Sequence, residues 1–424
     1  KDLMDFTEVS EFTGYTDSKS EGTVIGLFKD GVKVDELSGE GDLILSKTCF
    51  YAESGGQCAD TGKVYNDTFK ADVTNVIKAP HKQALHHLEN VEGTIRVGDV
   101  LTGEYDYAKR QLTRANHSSL HLLQEALREV LGDHIAQAGS YNCPEYARFD
   151  FTHFEKPSEE QLNEVERIVN EHINDAYPVV TEVMSIDEAK KTGATALFDE
   201  KYGDTVRVVT MGPSKEFCGG THASNTADLG CFKIVSEESI GSGVRRIECV
   251  TKMEAYKALK ANEVKLNDLR DSLKLKNSDM IPGRVDQMKQ NISSLENEKA
   301  QLLLRVLNLD SDVAASKAKG DDVKYVVLKT NDLQYNLKDY ANAIKNKLDG
   351  GTVFIGNVAN GKYSFVCALG NKVSEKGLDA GCLVKEAASL CEGKGGGKKD
   401  LAQSGGVDNG QIDSILATIE AKIK

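Results

Sequence analysis

The sequence predicts a multidomain α+β protein: an N-terminal small β-barrel, an α+β domain, a helical hairpin and a small C-terminal α/β domain. Three observations predict it. At 424 residues the chain is too long for one ordinary domain, and two to four are expected. The hydrophobic period changes along the chain, from short alternating runs, to a mixture, to helical stripes, to strand and helix in turn. With 40% hydrophobic and 28% charged residues, the composition is that of an ordinary globular protein.

Residues 1–105 read as β. Short apolar runs at 23–28, 41–45 and 71–77 are separated by Gly and Asp turns, and Val97-Gly98-Asp99-Val100-Leu101 supplies the last turn and strand. Residues 106–250 mix the two periods. A helix is expected from Tyr107 to Leu131, stopped at Gly132, and a second begins at the cap residue Ser158 and runs through Asn174. Strands are expected at 179–184, 205–211 and 231–236. Residues 251–320 are read as helical. Leu259, Leu266, Leu269 and Leu273 form one apolar stripe, and Val285, Met288, Ile292, Leu295 and Leu302 form another. Pro282-Gly283 and the polar residues before it separate them, which implies an antiparallel hairpin whose stripes pack. Residues 321–424 alternate strands (325–328, 352–357, 364–369) with helices (378–390, 409–423).

Charge and cysteine usage narrow the function. No run of eighteen apolar residues exists, so no membrane span is expected, and the first residues lack the basic and apolar regions of a signal peptide. The chain starts at Lys1 rather than Met and is read as a piece of a longer product. Nine scattered Cys without a C-x-x-C pair argue against a disulfide framework and for a reducing compartment. The formal charge of −14 argues against a general nucleic-acid binder, but it is uneven. Residues 321–424 hold 14 Lys and Arg against 13 Asp and Glu, so the acidic excess lies elsewhere, and local basic patches remain available to a phosphate backbone.

One constellation carries chemistry. His117-Ser118-Ser119-Leu120-His121 lies in the first expected helix, and i,i+4 spacing puts both imidazoles on one face. About a hundred residues later, Cys218-Gly219-Gly220-Thr221-His222 repeats that spacing around two glycines that permit a tight turn. Three imidazoles and a thiolate are a ligand set for one tetrahedral Zn²⁺ per chain. With nine His and nine Cys in 424 residues, each pair is expected by chance about 0.2 times, so their co-occurrence is suggestive. The competing reading is a hydrogen-bonded His pair and a buried Cys. The other six His form no comparable group.

The run Thr113-Arg114-Ala115-Asn116-His117-Ser118-Ser119-Leu120-His121-Leu122-Leu123 resembles the editing-domain signature of alanyl-tRNA synthetases and their free-standing editing relatives, as does Cys218–His222. The stretch from Phe50 to Gly62, with Gly55-Gly56-Gln57, resembles the family's glycine-rich loop. Gln137–Ser140, Arg148–Phe151 and Gly395–Gly406 are also similar to stretches of that family, in its order. An ATP-binding region and the class II synthetase motifs are not recognised in these 424 residues, so amino-acid activation is not expected.

The resemblance implies an editing half: hydrolysis of tRNA for alanine mischarged with serine or glycine. It implies zinc on His117, His121, Cys218 and His222, with Gln137 and Cys218 as catalytic candidates. Gly55, Gly56, Gln57 and Thr221 are the substrate-binding candidates, and Lys394, Lys398 and Lys399 the tRNA-binding ones. The cytoplasm is the expected compartment, with the mitochondrion as alternative, and a homodimer through the C-terminal domain or the helical hairpin is one assembly it allows. Two alternatives stay open: a free-standing editing deacylase, and a non-catalytic RNA-binding protein with structural zinc. A closed four-ligand site favours a positioning role for the metal over activation of water.

Overall fold

The computed structural model describes residues 2–197, 201–374 and 377–424. The chain divides into two compact units, 1–269 and 270–424. No helix among the described residues is long and apolar enough to cross a membrane.

The first unit opens on a barrel built from β1 (Lys19–Lys29), β2 (Gly41–Leu45), β3 (Gly62–Tyr65), β4 (Lys70–Lys78), β5 (Ala84–Glu92) and β6 (Val100–Tyr105). The strands pair in the order β6-β3-β4-β5-β2-β1, and β1 returns to β6 with Thr23 opposite Val100 and Ser20 opposite Gly103, which closes the ring. Closure leaves no ring strand with an open edge. The interior is filled by Val24, Leu43, Leu45, Val64, Val73, Leu88 and Leu101. Alternation fixes which residues point in, and a bulge shifts it: β4 buries Ala71 and Val73, then slips one residue before Asn75 and buries Val76.

The part that carries the His/Cys cluster follows at once. α1 (Tyr107–Leu131) starts where Asp106 accepts the Lys109 amide, and it ends at Gly132, whose φ of +122° no side-chain-bearing residue adopts readily. Two short strands that the sequence reading did not assign come next, β7 (Gln137–Asn142) and β8 (Ala147–Thr152). α2 (Glu159–Asn174) carries the expected cap at Ser158, completed by Gln161 into a reciprocal capping box. β9 (Val179–Ser185), β10 (Thr205–Met211) and β11 (Ser214–Phe217) form one antiparallel sheet. β12 (Phe232–Gly241, one residue later than expected at its start) and β13 (Val244–Thr251) complete a second, ordered β7-β8-β13-β12. α1 and α2 pack on these sheets through Leu122, Leu123, Leu127, Val165 and Val169, against Phe149, Phe151 and Ile247.

α3 (Lys252–Ser272) and α4 (Ile281–Ser316) are the two expected helices, separated by a short 3-10 turn at Ser278–Met280. Each carries its expected apolar stripe, Leu259, Leu266 and Leu269 on α3 and Met288, Ile292, Leu295 and Leu302 on α4.

In the second unit, β14 (Tyr325–Asn331), α5 (Leu337–Lys347) and β15 (Thr352–Ala359) make a parallel crossover. β16 (Lys362–Leu369), α6 (Ala380–Ser389), β17 (Lys394–Gly397), β18 (Leu401–Val407) and α7 (Ile412–Ile423) follow, in the sheet order β14-β15-β16-β18-β17. β16 shows the two-faced burial: Tyr363, Phe365, Cys367 and Leu369 meet α6 and α7, while Val366 and Ala368 face the α5 side. α5, capped by Asn336, was not assigned from the sequence. The glycine run at 395–397 lies in β17, at the edge of this sheet.

Candidate metal centre and cavity

The site is assembled inside the first unit. His117 and His121 lie one turn apart on α1, 7% and 5% exposed, with ring centroids 5.3 Å apart. The second pair comes from the chain leaving β11. Phe217 ends the strand, Gly219 and Gly220 turn the backbone, and His222 stacks on His117 with centroids 4.2 Å apart. Gly220 is required by this approach: a Cβ there would lie 2.1 Å from His117 Cε1.

Cys218 Sγ is 3.5 Å from His117 Nε2 and 3.3 Å from His222 Nε2. One ligand atom from each of His117, His121, Cys218 and His222 lies within 4.8 Å of the others. Bond lengths of about 2.0–2.3 Å to a tetrahedral centre put neighbouring donor atoms roughly 3.3–3.8 Å apart, a range that both Cys218 distances meet, and three imidazoles with one thiolate are a donor set that suits Zn²⁺.

The imidazoles are kept neutral, which ligation requires. Burial lowers His117 to about 4, and it holds His121 and His222 well below the ordinary value, helped by the neighbouring imidazoles. Their outer nitrogens are mostly occupied. His117 Nδ1 is 3.1 Å from both Gln57 Oε1 and the Thr221 carbonyl, and His222 Nδ1 is 3.0 Å from Ser118 Oγ. An N–H fixed at Nδ1 leaves Nε2 unprotonated, its lone pair free for a metal ion.

A cavity of about 790 Å³ opens beside this cluster, lined by His117, His121 and Cys218 together with Gly55, Gln137 and Glu216. The barrel contributes Phe12, Tyr15, Thr48 and Tyr51 to its wall. Tyr15 donates to the Gly219 carbonyl at 2.5 Å, and the Arg207 guanidinium lies 3.3 Å from its ring centroid. Burial pushes the Glu216 carboxyl up to about 8, with Glu125 adding to the rise.

Barrel and helix are joined by one buried ion pair. Arg110, two turns before His117, has a fully buried side chain and meets Asp60 in a forked contact. Its other N–H groups reach the carbonyls of Gly14 (2.6 Å) and Cys49 (3.0 Å), and the guanidinium stacks on Tyr105.

The structure thus brings together the four metal-ligand candidates, Gln137 and Gly55. Gly56, Gln57 and Thr221, read as substrate contacts, do not line the cavity. Gln57 and Thr221 are 1% and 2% exposed, and the Gln57 amide spans Thr221 Oγ1, the Thr221 N–H and His117. Gly56, with φ of +81°, lies so close to Ser140 that a Cβ would sit 2.3 Å from its carbonyl oxygen. Lys394, Lys398 and Lys399 are exposed on and beside the edge hairpin of the second unit. Sequence reasoning missed Glu216, Ser118, Thr48 and Tyr15. Ser118 stood inside the quoted H-x3-H motif, whereas the others carried no local signal.

Three stretches match family models. Residues 1–109 match class II (A) tRNA synthetases, 206–248 the second additional domain of threonyl and alanyl tRNA synthetases, and 321–424 the DHHA1 domain. The chain is 40% identical over 427 aligned positions to alanine–tRNA ligase of Listeria innocua and 40% over 428 to that of Bacillus subtilis. Each alignment covers 100% of this chain and 48% of the relative, so the chain spans about half the length of the curated relatives it matches. Among solved structures, the C-Ala domain from Aquifex aeolicus alanyl-tRNA synthetase matches at 22% identity and a TM-score of 0.24, covering 25% of this chain and 97% of that one.

Proposed function

The chain belongs to the alanine–tRNA ligase family, as part of its editing and C-terminal region, and from that premise we propose that it is an aminoacyl-tRNA deacylase. Its substrate is tRNA for alanine wrongly esterified with serine or glycine. The observation that carries the reading is the convergence of His117, His121, Cys218 and His222, three of them on the wall of one cavity, within the stretch that links α1 to the second additional domain.

A second, hydrolytic site answers a limit of binding physics. A pocket for alanine excludes the smaller glycine poorly and gains little from one added hydroxyl, since such differences are worth about 1–3 kcal/mol. Hydrolysis breaks the acyl C–O bond with one water, releases the amino acid as its acid and restores the ribose hydroxyl at the tRNA 3′ end. The cavity's about 790 Å³ falls in the usual range for a small-molecule site.

His117, His121, Cys218 and His222 would hold Zn²⁺, which when bound supplies a fixed positive centre for orienting the ester group. Gln137 presents its carboxamide from the first residue of β7, tethered to Ser140 Oγ at 2.9 Å, and orients the substrate. Cys218 is one of the three ligands on the cavity wall, and its thiolate sets how exposed the centre is to substrate. Gly55 lines the acceptor end through backbone without side-chain obstruction. Gln57 and Thr221 act at one remove, by holding His117. Lys394, Lys398 and Lys399 meet tRNA phosphates away from the reacting ester.

The test is a deacylation assay. The purified, zinc-loaded chain should release serine and glycine from tRNA for alanine and leave the alanyl ester largely intact. A zinc-loaded chain that binds this tRNA yet leaves the seryl ester intact overturns the enzymatic reading in favour of an RNA-binding segment with structural metal.

A further inference from the structure

Each ligand imidazole has two ring nitrogens, and only one can face the thiolate. The other must find a partner or stay unpaired in a dry place. Gln57 and the Thr221 carbonyl serve His117, and Ser118 serves His222. His121 lacks such a bond: its Nδ1 is buried with no hydrogen-bond partner. The group facing it is Glu216, whose Oε2 lies 3.6 Å away, with side chains only 5% and 10% exposed.

Glu216 is in the same condition. Its Oε1 is buried without a hydrogen-bond partner. The nearby cation, Arg128, is engaged elsewhere: its Nε donates to the Ile135 carbonyl at 3.0 Å and another N–H reaches Thr195 Oγ1 at 3.5 Å. Two unmet polar groups face each other across a gap slightly longer than a hydrogen bond, where leaving either unmet is costly. β11 holds Glu216 there because it sits on the strand that ends one residue before Cys218.

We propose that Glu216 is the positioning residue of His121: its carboxyl group takes the Nδ1–H of His121 and so commits Nε2 to the metal. This completes a set in which every imidazole of the centre has its own outer partner. It rests on the reading that the four-residue cluster holds zinc. Outer partners of ligand histidines fix the tautomer and ring orientation, and their loss typically weakens metal binding about 10- to 100-fold.

The experiment is zinc affinity of the full chain, measured by competition with a chromophoric chelator, alongside thermal unfolding of the metal-free protein. Glu216→Leu removes the acceptor at similar volume and should raise the zinc Kd about 10- to 100-fold while the metal-free protein unfolds at an unchanged or higher temperature. Glu216→Gln keeps an acceptor oxygen and should restore the affinity to within about threefold of the unmodified chain. The cobalt(II)-loaded Leu variant should also show a shifted visible spectrum. If the Leu variant does not fold, Glu216→Met takes its place. A Leu or Met variant that binds zinc within twofold of the unmodified chain overturns the proposal, as does a Gln variant no better than Leu. If the unmodified chain binds no zinc, the metal reading falls and this proposal with it, whereas loss of deacylation with normal zinc affinity would touch only the proposed function.

Discussion

Replacing Arg110 by Met tests the coupling between the barrel and α1. The guanidinium is wholly buried, forks onto Asp60 and donates to the carbonyls of Gly14 and Cys49. Met keeps most of the packing volume and removes every donor. The Asp60 carboxylate is left with the Tyr51 N–H at 2.8 Å as its remaining main-chain donor. Removing one partner of a buried ion pair costs about 3–5 kcal/mol, because the other charge stays buried. The two carbonyls add about 1 kcal/mol each where water does not reach them, partly overlapping that range. We expect about 4 kcal/mol, which is large for a single substitution. Hydrogen exchange gives a local assay: amides of β1–β6 and of the first turns of α1 should exchange about a thousandfold faster, since each 1.36 kcal/mol is a factor of ten. The double variant Asp60→Asn with Arg110→Met should recover much of the loss, because no charge is then stranded. An acceleration below tenfold in the single variant would refute the reasoning and show that water or a rearranged partner satisfies Asp60.

Three further outcomes are expected. Gly220→Ala places a Cβ 2.1 Å from His117 Cε1, so zinc binding and deacylation should both fall at least tenfold while α1 remains helical by circular dichroism. His86, fully buried between the Leu43 carbonyl and Thr48, has its pKa lowered to about 4 by burial. The unfolded chain then binds the extra proton between pH 6.5 and 4, so stability is full above pH 6.5 and falls as pH drops through that window. The loss should reach about 3 kcal/mol and be visible as a falling Tm of the metal-free protein, reduced in His86→Gln. Changing Lys394, Lys398 and Lys399 together to Ala should raise KM and flatten the salt dependence of tRNA binding, by about 0.7 in log–log slope for each phosphate no longer neutralised, with kcat retained.

What was legible in the sequence was what neighbouring residues decide. Gly132 marks the end of α1 and Ser158 the start of α2, because caps act over three or four residues. The two ligand pairs were readable for the same reason, since each closes within one turn of chain. Their meeting is a contact over about a hundred residues, which spacing alone left open and the resemblance supplied. Glu216 lies 95 positions from His121, and Gln57 lies 60 from His117. Neither relation leaves a periodic trace. Gln57, expected among the substrate contacts, is seen bonded to His117 and Thr221, and a polar residue beside glycines looks the same in sequence whether it faces a ligand or braces a neighbour. β7 escaped notice because Gln137-Ala138-Gly139-Ser140 lacks the β-branched residues that mark a strand, and tertiary pairing with β8 holds it instead. The stripes of α3 and α4 were legible because an apolar period is itself a local pattern.

The central claim is that the four-residue centre serves ester hydrolysis at the cavity beside it. The most direct test is single-turnover deacylation of seryl-tRNA for alanine as zinc is stripped from the chain and then restored in steps. The account predicts that the rate falls with zinc occupancy, returns in proportion as one Zn²⁺ per chain is added back, and is not restored in Cys218→Ala, while tRNA binding stays nearly constant throughout. A rate that is independent of zinc occupancy in a chain still folded by circular dichroism, or one that survives Cys218→Ala unchanged, would contradict it.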